Sequence, residues 1–301
     1  MHTGPAATLA VPLVLLVSKP LTGQSQTVAN PLAIPYTVAD GILVVPAAVG
    51  GSQVHLIFDT GAGLDLLPPS RIQQLRGIPA GVFTAHRMTG ERIDIPLFTV
   101  SGIKLGPGAD SVVVGGWDIL DSLHLDGIIS VNGFRRQPFT IDFGSNILTL
   151  ETAKSLAQRR AKGHPSPLAI DDYHGKALDL FATFLIGDQT AECELDTGSQ
   201  SATVSLRYLA LLGIDTTGSD VTRRERRTIG GATEVRYVTK VPRIALASAS
   251  SIDVSNPKVS FSDIIYDCVI GTEFWAGRAV TIDISGRQLI VTEGAPARRE
   301  P

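Results

Sequence analysis

The chain has 301 residues, of which 44% are hydrophobic and 18% charged, and its net charge is −3. That composition excludes a disordered chain, and the acidic balance excludes a dedicated nucleic-acid binder, whose phosphate contacts need a basic surface. The 30 glycines and 18 prolines, set among short runs of Val, Ile and Leu, favour strands joined by turns.

At the N-terminus, Ala6–Val17 is an apolar run too short to span a bilayer and of the length of a signal-peptide core. Small residues near Ser25 and Ala29 suit a cleavage point. The expectation is an exported protein, periplasmic or secreted, with residues 1–29 as leader. The run is preceded by no Lys or Arg, so the competing reading is a disordered or strand-forming extension. No other segment has transmembrane character, and no stable membrane insertion is expected.

A strand ending in Leu56-Ile57-Phe58 runs into Asp59-Thr60-Gly61-Ala62. "PPSRIQQLRGI" then reads as a short helix stopped by Gly77. "AHRMTGERIDIPLF" reads as a hairpin with its tip at Met88, Thr89 and Gly90. Further strands lead to Ile128-Ile129-Ser130 and a closing strand pair around Thr140-Ile141-Asp142. Residues 153–172 are polar, basic and broken by Pro165 and Pro167, and read as a linker. The order then repeats. Cys193-Glu194-Leu195 enters Asp196-Thr197-Gly198-Ser199, "SLRYLALLGI" gives a helix stopped at Gly213, and "RRTIGGATEVRYV" gives a hairpin with its tip at Ile229, Gly230 and Gly231. Val269-Ile270-Gly271 and Thr281-Ile282-Asp283 follow, and residues 295–301 read as a tail.

Asp59 and Asp196 lie 137 positions apart, and Thr140 and Thr281 lie 141 apart. One register therefore holds through both halves, with a small length difference absorbed between. The expected lobes are residues 30–152 and 173–294.

A carboxylate at a tight turn after an apolar strand is held rigidly, and Gly61 and Gly198 permit the turn and the close approach of another backbone. The hydroxyls of Thr60 and Thr197 are free to bond across a symmetric interface. If the two turns face each other, Asp59 and Asp196 share a proton, because carboxylates at that distance cannot both ionise. The charged member then activates a water and the protonated member polarises a peptide carbonyl. Such amide hydrolysis needs no metal and no cofactor. Ser199 can donate a hydrogen bond to Asp196, whereas Ala62 offers none to Asp59. The charge is therefore assigned to Asp196 and the proton to Asp59.

These residues resemble the retropepsin-like aspartic proteases. In that group each unit supplies Asp-Thr-Gly-Ala or Asp-Thr-Gly-Ser, and later two apolar residues before a Gly. Val269-Ile270-Gly271 matches the second element, and the first repeat departs from it at Ser130, which is expected to loosen the packing against the Asp59 turn. The resemblance covers both repeats. It implies an all-β fold of two homologous retropepsin-like β-barrel lobes with short helices, in a single-chain, bilobal acid-protease architecture. It implies catalysis by Asp59 and Asp196, support from Thr60, Gly61, Ala62, Thr197, Gly198 and Ser199, and flaps at Met88, Thr89 and Gly90 and at Ile229, Gly230 and Gly231. The function it implies is that of an aspartic endopeptidase acting on a peptide or protein substrate, as a monomer with an internal pseudo-dimer.

Two rival readings remain. One is a catalytically inactive peptide-binding or regulatory module on the same scaffold, allowed by Ser130 and by flap tips without the aromatic residue typical of pepsins. The other is a homodimer carrying two dyads. Composition leaves Cys193 and Cys268 as either one bridge or two buried thiols. The resemblance places them on strands that run side by side, which implies a disulfide in an oxidising compartment. "TRRERR" (Thr222–Arg227) reads as a solvated basic loop. The 6 histidines have no metal-site spacing, so no metal is expected.

Overall fold

The computed structural model describes residues 30–101, 103–104, 111–227 and 233–294. Residues 1–29, read as a leader, residues 295–301, read as a tail, and Ile229, Gly230 and Gly231, expected at the tip of the second hairpin, lie outside the described residues.

Alternation of apolar residues builds the strands. In Ile42–Val49 and Ser52–Phe58 the buried side chains are Leu43, Val45, Ala47 and Val49, then Val54, Leu56 and Phe58. This period of two is what turns one face of a strand toward a core. Gly50 and Gly51, with φ of 59° and 83°, form the two-residue turn that sets Val49 opposite Ser52. Both positions of such a turn need a positive φ, which glycine adopts without strain. Leu178–Ile186 and Gln189–Leu195 form the corresponding hairpin of the second half.

Among the described residues the strands make three sheets, one of nine strands in the first lobe, one of ten in the second, and one of six that joins them. At the centre of the joining sheet, Phe139–Asp142 pairs antiparallel with Arg278–Asp283, setting Thr140 opposite Thr281. The hydroxyls of these repeat-related threonines are buried and 2.7 Å apart. An approximate twofold axis passes between them. The architecture is all-β and bilobal, as the sequence repeat predicts. Each lobe is anchored by an aromatic cluster, Phe58 with Phe134 and Phe139 in the first and Phe184 with Phe274 and Trp275 in the second.

Residues 153–172 are not a linker. Thr152 and Ser155 form a capping box that starts the helix Ala153–Lys162. His164–Pro167 pairs with Gln288–Glu293 at the outer edge of the joining sheet, where a proline needs no partner for a missing N–H. Ala169–Asp172 then pairs with Leu178–Ile186. Proline there marks an edge strand and not a break. Thr222–Arg227, read as a loop, is an exposed edge strand paired with Thr233–Lys240. Its four arginines suit an edge that must resist pairing with another chain. After the first helix, Pro69–Gln74, Arg76 takes the left-handed conformation (φ 52°) in place of Gly77. Gly77 answers a different need, because a Cβ there would lie 2.6 Å from the Ile72 side chain.

Cys193 and Cys268 form a disulfide between the neighbouring parallel strands Gln189–Leu195 and Cys268–Ile270. The bridge closes a segment with a sequence separation of 75, which removes unfolded-chain entropy worth about 4 kcal/mol. Reduction is expected to lower Tm by about 10 °C in scanning calorimetry. An unchanged Tm, with both thiols shown to be free, would contradict this.

Candidate functional site: the interlobe cleft

The two Asp-Thr-Gly turns meet at the base of the cleft between the lobes. Each aspartate closes its strand, with Asp59 N–H donating to the Ile129 carbonyl at 2.9 Å and Asp196 N–H to the Ile270 carbonyl at 3.1 Å. The two threonines lock the turns together. Thr60 Oγ1 donates to the Leu195 carbonyl at 2.6 Å and accepts from Thr197 N–H at 3.0 Å. Thr197 Oγ1 donates to the Phe58 carbonyl at 2.7 Å and accepts from Thr60 N–H at 3.0 Å. All four bonds are buried and cross between the lobes.

This lock brings the carboxyls together. Gly61 N–H donates to Asp59 Oδ1 at 2.9 Å, and Gly198 N–H to Asp196 Oδ1 at 2.7 Å. A Cβ on Gly61 would lie 2.8 Å from the Asp196 carboxyl carbon, and one on Gly198 would lie 2.4 Å from Asp59 Oδ2. Both positions thus require glycine because the opposite carboxyl fills the space. Burial, then the Asp196 charge and a hydrogen bond with Asp196, pushes the Asp59 carboxyl well above the usual carboxylate range, against the pull of the Gly61 and Gly198 N–H groups. Ser199 Oγ donates to Asp196 Oδ2 at 2.6 Å. Ala62 lines the cleft.

Ser130 does not loosen the packing. It is fully buried, and its N–H and hydroxyl both donate to Asp65 Oδ1, at 2.7 and 3.0 Å. Burial pushes the Asp65 carboxyl up to about 6 in spite of these bonds. Gly271 holds the repeat-related place, where a Cβ would lie 2.5 Å from the Gln200 carbonyl oxygen. The close approach that calls for glycine therefore exists in the second lobe, and the first lobe replaces it with a carboxylate–serine bond.

The cleft has a volume of about 380 Å³. Its roof is the first-lobe hairpin of Ile78–His86 and Arg92–Ser101, which contributes Phe83, Thr84, Ala85, His86, Arg87 and Met88. The Met88 carbonyl accepts from Ile265 N–H of the second lobe at 2.9 Å, and a Cβ on Gly90 would lie 3.2 Å from the Ile265 side chain. Met88 lines the cleft, and Thr89 and Gly90 belong to the turn beyond it. In the second lobe, the described part of the Thr222–Lys240 hairpin contributes nothing to the cleft lining. A single hairpin thus roofs the site among the described residues.

The two walls differ. Leu64, Leu66, Ile95 and Ile128 make the first-lobe side apolar. The second-lobe side carries Glu194, Asp179, Tyr173 and Tyr266. Sequence reasoning missed these four, because strands and loops distant in the chain bring them together. One signal was present, since Glu194 interrupts the apolar strand entering its Asp-Thr-Gly where the first repeat has Ile57. Among the described residues no group of three or more His, Cys, Asp or Glu side chains could hold a metal ion, and no helix is long and apolar enough to cross a membrane.

No family model matches the chain, and no curated protein matches it. Among solved structures it is similar to basic 7S globulin from soybean, at 10% identity and a TM-score of 0.51, over 87% of this chain and 95% of that one. It is also similar to conglutin gamma, a basic 7S globulin from lupine seeds, at 10% identity and a TM-score of 0.51, over 88% of this chain and 95% of that one. At such identity the likeness is one of fold. It corrects two readings of the sequence. The neighbours are 7S globulins and not retropepsins, and no family model supports a retropepsin-like assignment, so that assignment does not stand. The reading as an active aspartic endopeptidase falls with it. The paired Asp-Thr-Gly turns mark the internal repeat of the two lobes.

Proposed function

We propose that the chain is a non-catalytic peptide-binding module, exported from the cytoplasm, whose ligand is an extended peptide segment held between its lobes. The observation that carries this reading is the roofed cleft of about 380 Å³, with one apolar wall and a base of convergent carboxyls. A concave, largely apolar hollow with a few fixed polar groups is the usual form of a ligand site. Extended peptides are held by main-chain bonds to strand edges, with side chains in alternate pockets. The likeness in fold to basic 7S globulins supports binding over hydrolysis as the use of the scaffold. The Cys193–Cys268 bridge supports export, since such bonds persist in oxidising compartments. The lobes complete the cleft within one chain, which supports a monomer as the working unit.

Affinity selection from a random peptide library at pH 5 and pH 7, read by mass spectrometry, tests the proposal. The expected result is enrichment of a related peptide set, with slowed amide exchange in the Phe83–Met88 arm of the roof when an enriched peptide is added. No enrichment, or protection confined to surfaces away from the cleft, would overturn it.

A further inference from the structure

We infer that the second-lobe wall of the cleft is a pocket for a cationic side chain, lysine or arginine, of the bound peptide, with Glu194 as its principal counter-charge and Asp179 as the second. This deepens the peptide-binding reading and rests on it. Glu194 and Ile57 occupy repeat-related positions on the strands that enter Asp196 and Asp59. The same fold position is thus apolar in one lobe and acidic in the other.

Glu194 is 5% exposed and lines the cleft. Among the described residues no group donates a hydrogen bond to its carboxyl, and the charges that act on it are those of Asp196, Asp179 and Asp59. A buried carboxyl without a donor is costly, and a cation entering the pocket removes that cost. Asp179 stands beside it and accepts from the Tyr173 hydroxyl at 3.1 Å and from Tyr266. The two phenol rings are themselves braced, Tyr266 edge-on to Phe181 at 5.3 Å and Tyr173 edge-on to Phe83 at 6.2 Å. Aromatic rings beside carboxyls suit both parts of a basic side chain, its apolar stem and its charged head. Arg87, on the roof, does not serve as an internal counter-ion, because it pairs with Glu91 at 3.4 Å and lies over the Trp117 ring.

Burial and the neighbouring carboxyls hold Glu194 well above the usual range, so while the pocket is empty it keeps its proton to a higher pH than an exposed glutamate. Entry of a cation expels that proton, and affinity for a basic peptide therefore rises with pH. The other titratable or charged groups lining the cleft are Asp59, Asp196, Asp179, Tyr173 and Tyr266 at the base and wall and His86 and Arg87 on the roof, and Asp171 acts on Asp179 from outside the lining.

A positional-scanning library tests the inference, with each position fixed in turn as Lys, Arg, norleucine or Glu. Binding to the full chain is measured by titration calorimetry at pH 5 and pH 7. At one position Lys and Arg are expected to bind about tenfold or more tighter than norleucine, with a larger margin at pH 7. That ratio should fall below about threefold in Glu194→Gln and decline partly in Asp179→Asn, in variants whose melting curves show them folded. Equal binding of Lys and norleucine at every position, or a preference that survives Glu194→Gln in folded protein, overturns the cationic pocket and leaves peptide binding standing. Failure of every peptide to bind overturns both readings.

Discussion

Raising the pH from 4 to 7 is expected to cost this protein stability. Asp65 and Asp179 ionise near 3.8 in an unstructured chain, and burial pushes both up to about 6 in the folded one. Between those values the folded state keeps two protons that the unfolded state has released. Stability therefore falls as pH rises through this window, by about 2–3 kcal/mol for each group. Asp59 and Glu194 act in the same direction, both through burial first and then through neighbouring carboxylates. Glu234 has the opposite sign. Bonds from Arg236, Ser262 and Arg226 overcome the upward push of burial and hold it at about 2. Its contribution is complete above its unfolded value of 4.5 and is lost only toward pH 2, so it does not offset the loss at higher pH. The loss of about 5 kcal/mol from Asp65 and Asp179 alone corresponds to a fall in Tm on the order of 10 °C. Calorimetry at half-unit intervals checks it, and Asp65→Asn should flatten the curve by one group's share. A Tm that rises steadily from pH 4 to pH 7 would contradict the burial of these carboxyls.

The second large effect concerns the threonine lock. Replacing both Thr60 and Thr197 by valine keeps the shape and removes all four crossed bonds. Two N–H groups and the carbonyls of Phe58 and Leu195 are then left in a buried junction without partners. At about 1–3 kcal/mol for each orphaned group, the double variant should lose about 6 kcal/mol, measured by urea unfolding. Each single variant should lose about half of this, because each hydroxyl serves once as donor and once as acceptor. A loss under about 1 kcal/mol in the double variant would mean that the junction is wet or relaxes freely.

The bilobal all-β fold was legible because it is written as a repeat, and a repeat constrains topology even where no single strand is certain. The antiparallel meeting of Thr140 with Thr281 follows from that symmetry. What breaks the symmetry was harder to read. Residues 153–172 have loop composition, yet they form a capped helix and two edge strands, since edges tolerate the prolines and charges that central strands refuse. Ser130 looked like a defect until Asp65, a half-buried partner 65 positions away, came beside it. The acidic wall gathers Glu194 and Asp179 from two strands with Tyr173 and Tyr266, and of these only Glu194 left a signal in the sequence. The Asp-Thr-Gly pair suggested an enzyme branch by its residues alone, and comparison of whole folds corrected it.

Peptide held between the lobes without cleavage is the behaviour expected of this cleft. The direct measurement is a mass-spectrometric time course of a selected, cleft-bound peptide with the wild-type chain at pH 4, 5.5 and 7. A single unchanged mass is expected at every time and pH. A matched pair of fragment masses that grows with time, and that disappears in Asp59→Asn and Asp196→Asn, would contradict it.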